Sequence, residues 1–119
     1  MDARASRYHE VYAGWRRDPE GFWAAAARDI DWIETPIRTF DPNAGVYGRW
    51  FVGGVCNTCW NAVDRHVENG RATQPAIIYD SPVTGTKQVL TYADLQTKTQ
   101  TLAGILSKDF GVSKGDRVV

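Results

Sequence analysis

Ala76-Ile-Ile-Tyr-Asp-Ser-Pro-Val-Thr-Gly-Thr-Lys-Gln-Val-Leu-Thr-Tyr-Ala-Asp-Leu95 decides the fold class. Ala76-Ile-Ile-Tyr79 is a short β-prone run, Asp80-Ser-Pro-Val-Thr-Gly85 is turn chemistry, and Gln88-Val-Leu-Thr91 is a second β run. Two such runs around a turn predict an antiparallel hairpin with a longish loop. Thr91 stands three residues before Asp94, the spacing at which a hydroxyl and a carboxylate each satisfy a free backbone N–H, so a helix opens there. Leu95, Leu102, Ala103 and Leu106 give it an inner face, and Phe110-Gly111 closes it. Val112 to Asp116 then leads into Arg117-Val118-Val119, an apolar run that reads as the first residues of a strand. A domain seldom ends on a strand's opening, so the chain reads as the N-terminal piece of a longer protein.

Upstream, the grammar is helical and then irregular. Tyr8, Val11, Tyr12 and Trp15 recur at helical spacing, which predicts a helix over roughly 4–16 with Arg7, Glu10, Arg16 and Arg17 on its wet side. Asp18-Pro-Glu20 restarts the chain as a second helix: Asp18 caps, Pro19 suits the first position, and Glu20 meets the positive end of the dipole. Phe22, Trp23 and Ala26 form its apolar face, and it should end near Asp29. Residues 30–56 are punctuated by Pro and Gly, with Arg49-Trp-Phe-Val52 as a short extended segment. Asn57 to Asn69 reads as a third helix, capped by Asn57 or Thr58, with Trp60, Val63 and Val67 at apolar spacing and Asn69-Gly70 as its stop. The expected architecture is mixed α/β: helices, a hairpin, a helix and a truncated strand. It divides into an aromatic-rich lead-in at 1–56 and the start of an α/β domain at 57–119.

Composition narrows the function classes. The 119 residues are 43% hydrophobic, enough for a packed core. Fourteen basic and fourteen acidic side chains cancel, which gives neither a nucleic-acid nor an anionic-membrane footprint. No apolar run approaches the roughly 20 residues of a membrane span. Met1 to Glu10 lacks the apolar core of a secretory signal, so the expected compartment is the cytosol. All five Trp fall in the first 60 residues, where they fill a core or dock on another surface.

Few residues carry chemistry. Cys56-Asn-Thr-Cys59 has the spacing of half a zinc site or a redox pair. There is no second Cys pair, and His9 and His66 have no zinc-finger spacing to it, so two buried or half-buried free thiols are expected. Gly53-Gly54 reads as a turn, not as a phosphate loop. His66 has no nucleophile placed beside it and reads as a satisfied surface or interfacial histidine. Asp64 and Glu68 read as a solvated acidic pair. The helical spacing of the Trp residues favours core packing over a stacking platform.

Three blocks go further. Gly48-Arg-Trp-Phe-Val-Gly-Gly54, Asn57-Thr-Cys-Trp-Asn-Ala-Val-Asp-Arg-His66, and Leu90-Thr-Tyr-Ala-Asp-Leu95 with Gly111-Val-Ser-Lys-Gly-Asp-Arg-Val118 resemble the start of acyl-CoA synthetases of the acetyl-CoA synthetase type. Asp18-Pro-Glu-Gly-Phe-Trp23 is similar to that family's N-terminal segment. Ile77-Ile-Tyr-Asp-Ser-Pro-Val-Thr-Gly-Thr86, with Asn57-Thr-Cys-Trp60, looks most like its propionate–CoA ligase branch. The resemblance implies a parent enzyme that activates propionate or another short carboxylate with ATP to an acyl-adenylate, releases pyrophosphate and passes the acyl group to CoA. Adenylation turns carboxylate oxygen, a poor leaving group, into a good one, and Mg2+ neutralises the phosphates.

The resemblance also implies what lies elsewhere. The family's phosphate loop with its Lys, its acyl pocket, its adenosine contacts and its lid Lys fall beyond Val119. No catalytic, cofactor-binding or metal residue is therefore assigned to positions 1–119. The piece is expected to be inactive, to bind no ATP, Mg2+ or CoA, to pack architecturally on the parent's large domain, and to self-associate when alone. One rival reading is an interaction module that docks a partner through its aromatic half. Another is a small thiol or metal protein built on Cys56 and Cys59.

Overall fold

The computed structural model describes residues 6–119. The chain divides into two compact units, Met1–Asn57 and Thr58–Val119.

In the first unit, α1 runs from Tyr8 to Arg17. The first residues of the expected helix, Arg4 and Ala5, lie outside the described residues. Asp18 separates α1 from α2, Pro19–Ala26, and caps it as expected: the Gly21 N–H donates to Asp18 Oδ1 at 2.9 Å, with Pro19 at the helix start. A 3-10 turn, Ala27–Asp29, ends the helical run. On α1, Tyr8 stacks on Tyr12 and Tyr12 on Trp15, with ring centroids 5.7 and 5.5 Å apart. The aromatic spacing read from sequence thus forms a continuous ridge.

Residues 30–56 hold more order than their Pro and Gly content predicts. Four short strands form two antiparallel pairs: β1 (Trp32–Glu34) with β4 (Val55–Cys56), and β2 (Arg38–Asp41) with β3 (Arg49–Val52). Phe40 sits opposite Trp50, and their rings lie 4.6 Å apart. Trp23 meets Trp50 edge-on at 6.5 Å, so α2 is held to the β2–β3 pair by aromatic contact.

In the second unit, the expected third helix is present with a different winding. Its middle and end are π-helical, Trp60–Asp64 and Val67–Arg71, with wider turns than an α-helix. Asn69 (ψ 18°) and Gly70 (φ 79°) leave helical geometry, so the Asn-Gly stop acts where expected. Val63 is 6% exposed and is the one buried residue among those described.

The hairpin forms between β5 (Pro75–Ser81) and β6 (Thr86–Thr91), with Ile78 opposite Val89 and Tyr79 opposite Gln88. Both strands run longer than the apolar cores that announced them. Helix α3, Tyr92–Lys108, opens on the expected reciprocal cap: the Asp94 N–H donates to Thr91 Oγ1 at 3.2 Å, and the Thr91 N–H donates to Asp94 Oδ2 at 3.0 Å. The Tyr92 and Ala93 N–H groups donate to the carbonyls of Gln74 and Ala72, which ties the start of α3 to the strand's approach.

Two expectations need correction here. Leu95 and Leu106 are half-buried as predicted, but Leu102 is 56% exposed and Ala103 is exposed. The inner face is therefore narrower than its period suggests. Arg117-Val118-Val119 has no regular structure. A strand exists only by pairing, and no described strand lies beside this run.

Candidate functional site

Among the described residues, three concavities are large enough to receive something, and each lies within one unit. The first is a groove of about 300 Å³ between α1 and α2, lined by Tyr8, Val11, Tyr12, Trp15, Phe22 and Trp23. Its chemistry is almost wholly apolar. Tyr8, Val11, Tyr12 and Trp23 are exposed along it, which fits contact with another apolar surface. Its only polar side-chain groups are the Tyr8 and Tyr12 phenols and the Trp15 and Trp23 indole N–H groups.

The second, about 360 Å³, lies where the 3-10 turn meets the strands; its lining includes Arg28, Trp32, Pro36, Thr39 and Phe51. The Trp32 indole N–H donates to the Ala27 carbonyl at 2.8 Å and fixes that wall. Phe51 faces it with ring centroids 5.8 Å apart. Phe51 has φ 52°, the one non-glycine residue with positive φ among those described. Gly54 closes the back: a Cβ there would meet Pro36 Cγ at 2.7 Å and Trp32 Cζ3 at 2.8 Å. Gly53-Gly54 therefore serves as a turn and a close approach, in line with its expected role.

The third, about 340 Å³, is an open hollow between β6 and α3 lined by Gln88, Val89, Leu90, Asp94, Thr97 and Lys98. Asp94 is committed to the cap. The Thr91 hydroxyl, then the Thr91 amide, hold its carboxyl below the usual aspartate range, with Lys98 adding to the effect. On the hairpin, bonds from Ser81 and then Thr84 lower the Tyr79 phenol from its ordinary value. Tyr79 is 47% exposed, and its two hydroxyl partners, Ser81 and Thr84, lie on the same hairpin turn.

The residues singled out in the sequence are not brought together. Cys56 and Cys59 are free and both exposed, which corrects the expectation of buried or half-buried thiols. Cys56 ends a two-residue edge pair and Cys59 lies in the first turn of the next helix, positions with too little packing around them to cover a side chain. Cys59 Sγ lies 4.0 Å from Thr99 Oγ1. His66 is half-buried with its ring 5.0 Å from that of Tyr92. Asp64 is not part of a solvated pair: it accepts a hydrogen bond from Gln96 Nε2 at 2.8 Å and links the π-helical segment to α3. Only the structure could reveal that link, because 32 residues separate the partners. Among the described residues, no group of three His, Cys, Asp or Glu side chains is placed to hold a metal ion.

The three hollows differ in chemistry: one is apolar, one is apolar with a cation at its edge, and one is polar and open. In comparison with known proteins, residues 8–62 match the family model of the acetyl-coenzyme A synthetase N-terminus. Across nearly its whole length the chain is also similar to acyl-CoA synthetases. It is 46% identical over 114 residues to human "Acyl-CoA synthetase short-chain family member 3, mitochondrial", covering 96% of this chain and 16% of that protein. The Bos taurus protein of the same name is 43% identical over 119 residues, covering 100% of the chain and 17% of the relative. An "Acetyl-coenzyme A synthetase" of Streptomyces coelicolor is 38% identical over 118 residues, covering 99% and 18%. The chain is thus similar to the N-terminal region of acetyl-CoA-synthetase-type acyl-CoA synthetases, and it spans about a sixth of the length of the relatives it matches.

These relatives overturn one expectation. The mammalian proteins are mitochondrial by name, and the cytosolic compartment read from the chain's N-terminus does not stand. The reading failed for a physical reason. Lack of an apolar signal core bears on secretion, whereas mitochondrial address is written in Arg-rich amphipathic leaders that a hydropathy criterion does not detect.

Proposed function

We infer that these residues are the N-terminal region of an ATP-dependent short-chain acyl-CoA synthetase. The full enzyme converts propionate, ATP and CoA to propionyl-CoA, AMP and pyrophosphate through an acyl-adenylate. The observation that carries this reading is the 46% identity, over 96% of the chain, to a short-chain acyl-CoA synthetase. The preference for propionate over acetate rests on the narrower likeness of Ile77 to Thr86 and Asn57 to Trp60. The compartment that the mammalian relatives support is the mitochondrion.

Within that enzyme the 119 residues do structural work. Residues 1–56 form an aromatic lead-in, and 57–119 begin the adenylate-forming domain. The described residues hold no metal-ligating cluster. The sequence has no Gly-rich loop to cradle phosphates, so these side chains do not suit Mg2+ or the phosphates of ATP. The parent's own residues beyond this stretch supply that chemistry.

The test is propionate-dependent ATP–pyrophosphate exchange. The full-length enzyme should catalyse it with propionate better than with acetate, and the 119-residue chain alone should match a buffer blank. Exchange by the pure chain, or a full-length enzyme inert towards both acids, would overturn the reading.

The open aromatic groove favours a second reading, in which α1 and α2 dock a separate protein without any part in catalysis. Hydrogen exchange of α1 in the full-length enzyme separates the two. Slow exchange without added partner supports the architectural role, and fast exchange supports docking.

A further inference from the structure

The pocket at the 3-10 turn has a feature that architecture does not use. Its walls are apolar rings, yet a cation stands at its edge. Arg28 lines it, and among the described residues Arg28 makes no ion pair. We propose that this pocket binds a small organic monocarboxylate, its carboxylate on the Arg28 guanidinium and its hydrocarbon body between Trp32 and Phe51.

Three observations converge on that chemistry. The cavity, about 360 Å³, sits at the small end of the roughly 300–1,000 Å³ span of ligand pockets. That size suits a small molecule better than a coenzyme. One guanidinium offers two parallel N–H donors, which match a carboxylate in bidentate fashion. A phosphate would call for more positive charge, and Arg28 is the one cation among the described residues that line this pocket. Thr35 and Thr39 add hydroxyls without a competing negative charge.

The walls are also pre-formed. Trp32 is anchored through its indole N–H, and Gly54 leaves no spare space behind it. Phe51 is held at φ 52° with its ring on Trp32 and Trp50. A non-glycine residue at positive φ costs energy that the surroundings must hold in place, and such residues gather at ligand sites. Here the unusual backbone aims an aromatic ring at the second wall. The site is separate from the adenylating chemistry proposed for the parent and does not depend on that reading.

The probes are hexanoate and benzoate, titrated into the 119-residue chain and followed in 1H–15N correlation spectra. The Trp32 indole N–H and the Phe51 amide should shift together and saturate in the millimolar range, and hexanamide should bind about tenfold more weakly or worse, as expected for loss of a charge-assisted pair. Arg28→Gln should lose affinity to the same extent. Arg28 is exposed, so the spectrum elsewhere should remain that of the native chain. Equal shifts with hexanamide and hexanoate on the native chain would overturn the proposal whatever the variant does. So would absence of saturable shifts, or a preference for a Glu-containing peptide over the free acids, which would make the pocket a protein contact.

Discussion

At the scale of single residues, two glycines make opposite predictions. Gly48 has φ 69°, and a Cβ there would lie 2.5 Å from Phe40 Cζ and 2.9 Å from the Asp41 carbonyl oxygen. Gly48→Ala should therefore destabilise the first unit by about 1–3 kcal/mol, since it combines a disfavoured backbone with a clash. Gly104 sits inside α3 without positive φ, and a Cβ added there would meet nothing within 4 Å. Gly104→Ala should stabilise by about 0.5–1 kcal/mol through helix propensity. Urea denaturation of the two variants checks both signs. The cap adds a pH dependence. Asp94 titrates below its ordinary value in the folded chain because Thr91 bonds to its charged form. Its contribution is thus complete above the usual aspartate range and is lost as pH falls through the lower, folded value. Asp94→Asn should cost helicity near neutral pH and little in strong acid, as read by circular dichroism. Thr91→Ala should cost about 1 kcal/mol.

Among the elements, Asp64 and Gln96 form the join with most at stake in the second unit. Gln96→Leu should leave the Asp64 carboxylate without its side-chain donor from α3 and cost about 1–3 kcal/mol. Amide exchange should speed up at the N-terminal half of α3, and unchanged exchange there would show that the helices are held by apolar contact alone. Val63→Ala should cost roughly 1.6 kcal/mol for two buried carbons. What sequence could show at this scale follows from how local each signal is. Thr91 with Asp94, Asp18 with Pro19, and Asn69 with Gly70 act over three residues or fewer, and each appears where it was read. Strands β1 and β4 pair across more than 20 residues with only two or three residues each, too few for a period to register. The π-helical winding was illegible too, because Trp60, Val63 and Val67 have nearly the spacing that an α-helix needs. The carboxylate pocket shares that fate: Arg28, Thr39 and Phe51 converge only once the chain has folded back.

For the whole molecule, the exposed aromatic and aliphatic side chains predict self-association. Trp23, Trp50, Ile78, Val89 and Val118 are each at least 40% exposed. The hairpin's two outer strand edges have no described neighbour, and an open edge is a template for pairing. Sedimentation over a wide concentration range should show dimers or larger species, and a strictly monomeric chain at high concentration would contradict this. Val63, as the one buried residue described, has a calorimetric consequence. Heat capacity rises on unfolding because apolar groups pass from a dry interior into water, and an ordinary domain of this length shows a step of about 1.4–1.8 kcal/mol/K. A chain whose apolar groups already touch water has less to transfer. Its step should fall well below that range, its melting should be broad, and its stability curve should be shallow enough that cooling weakens it little.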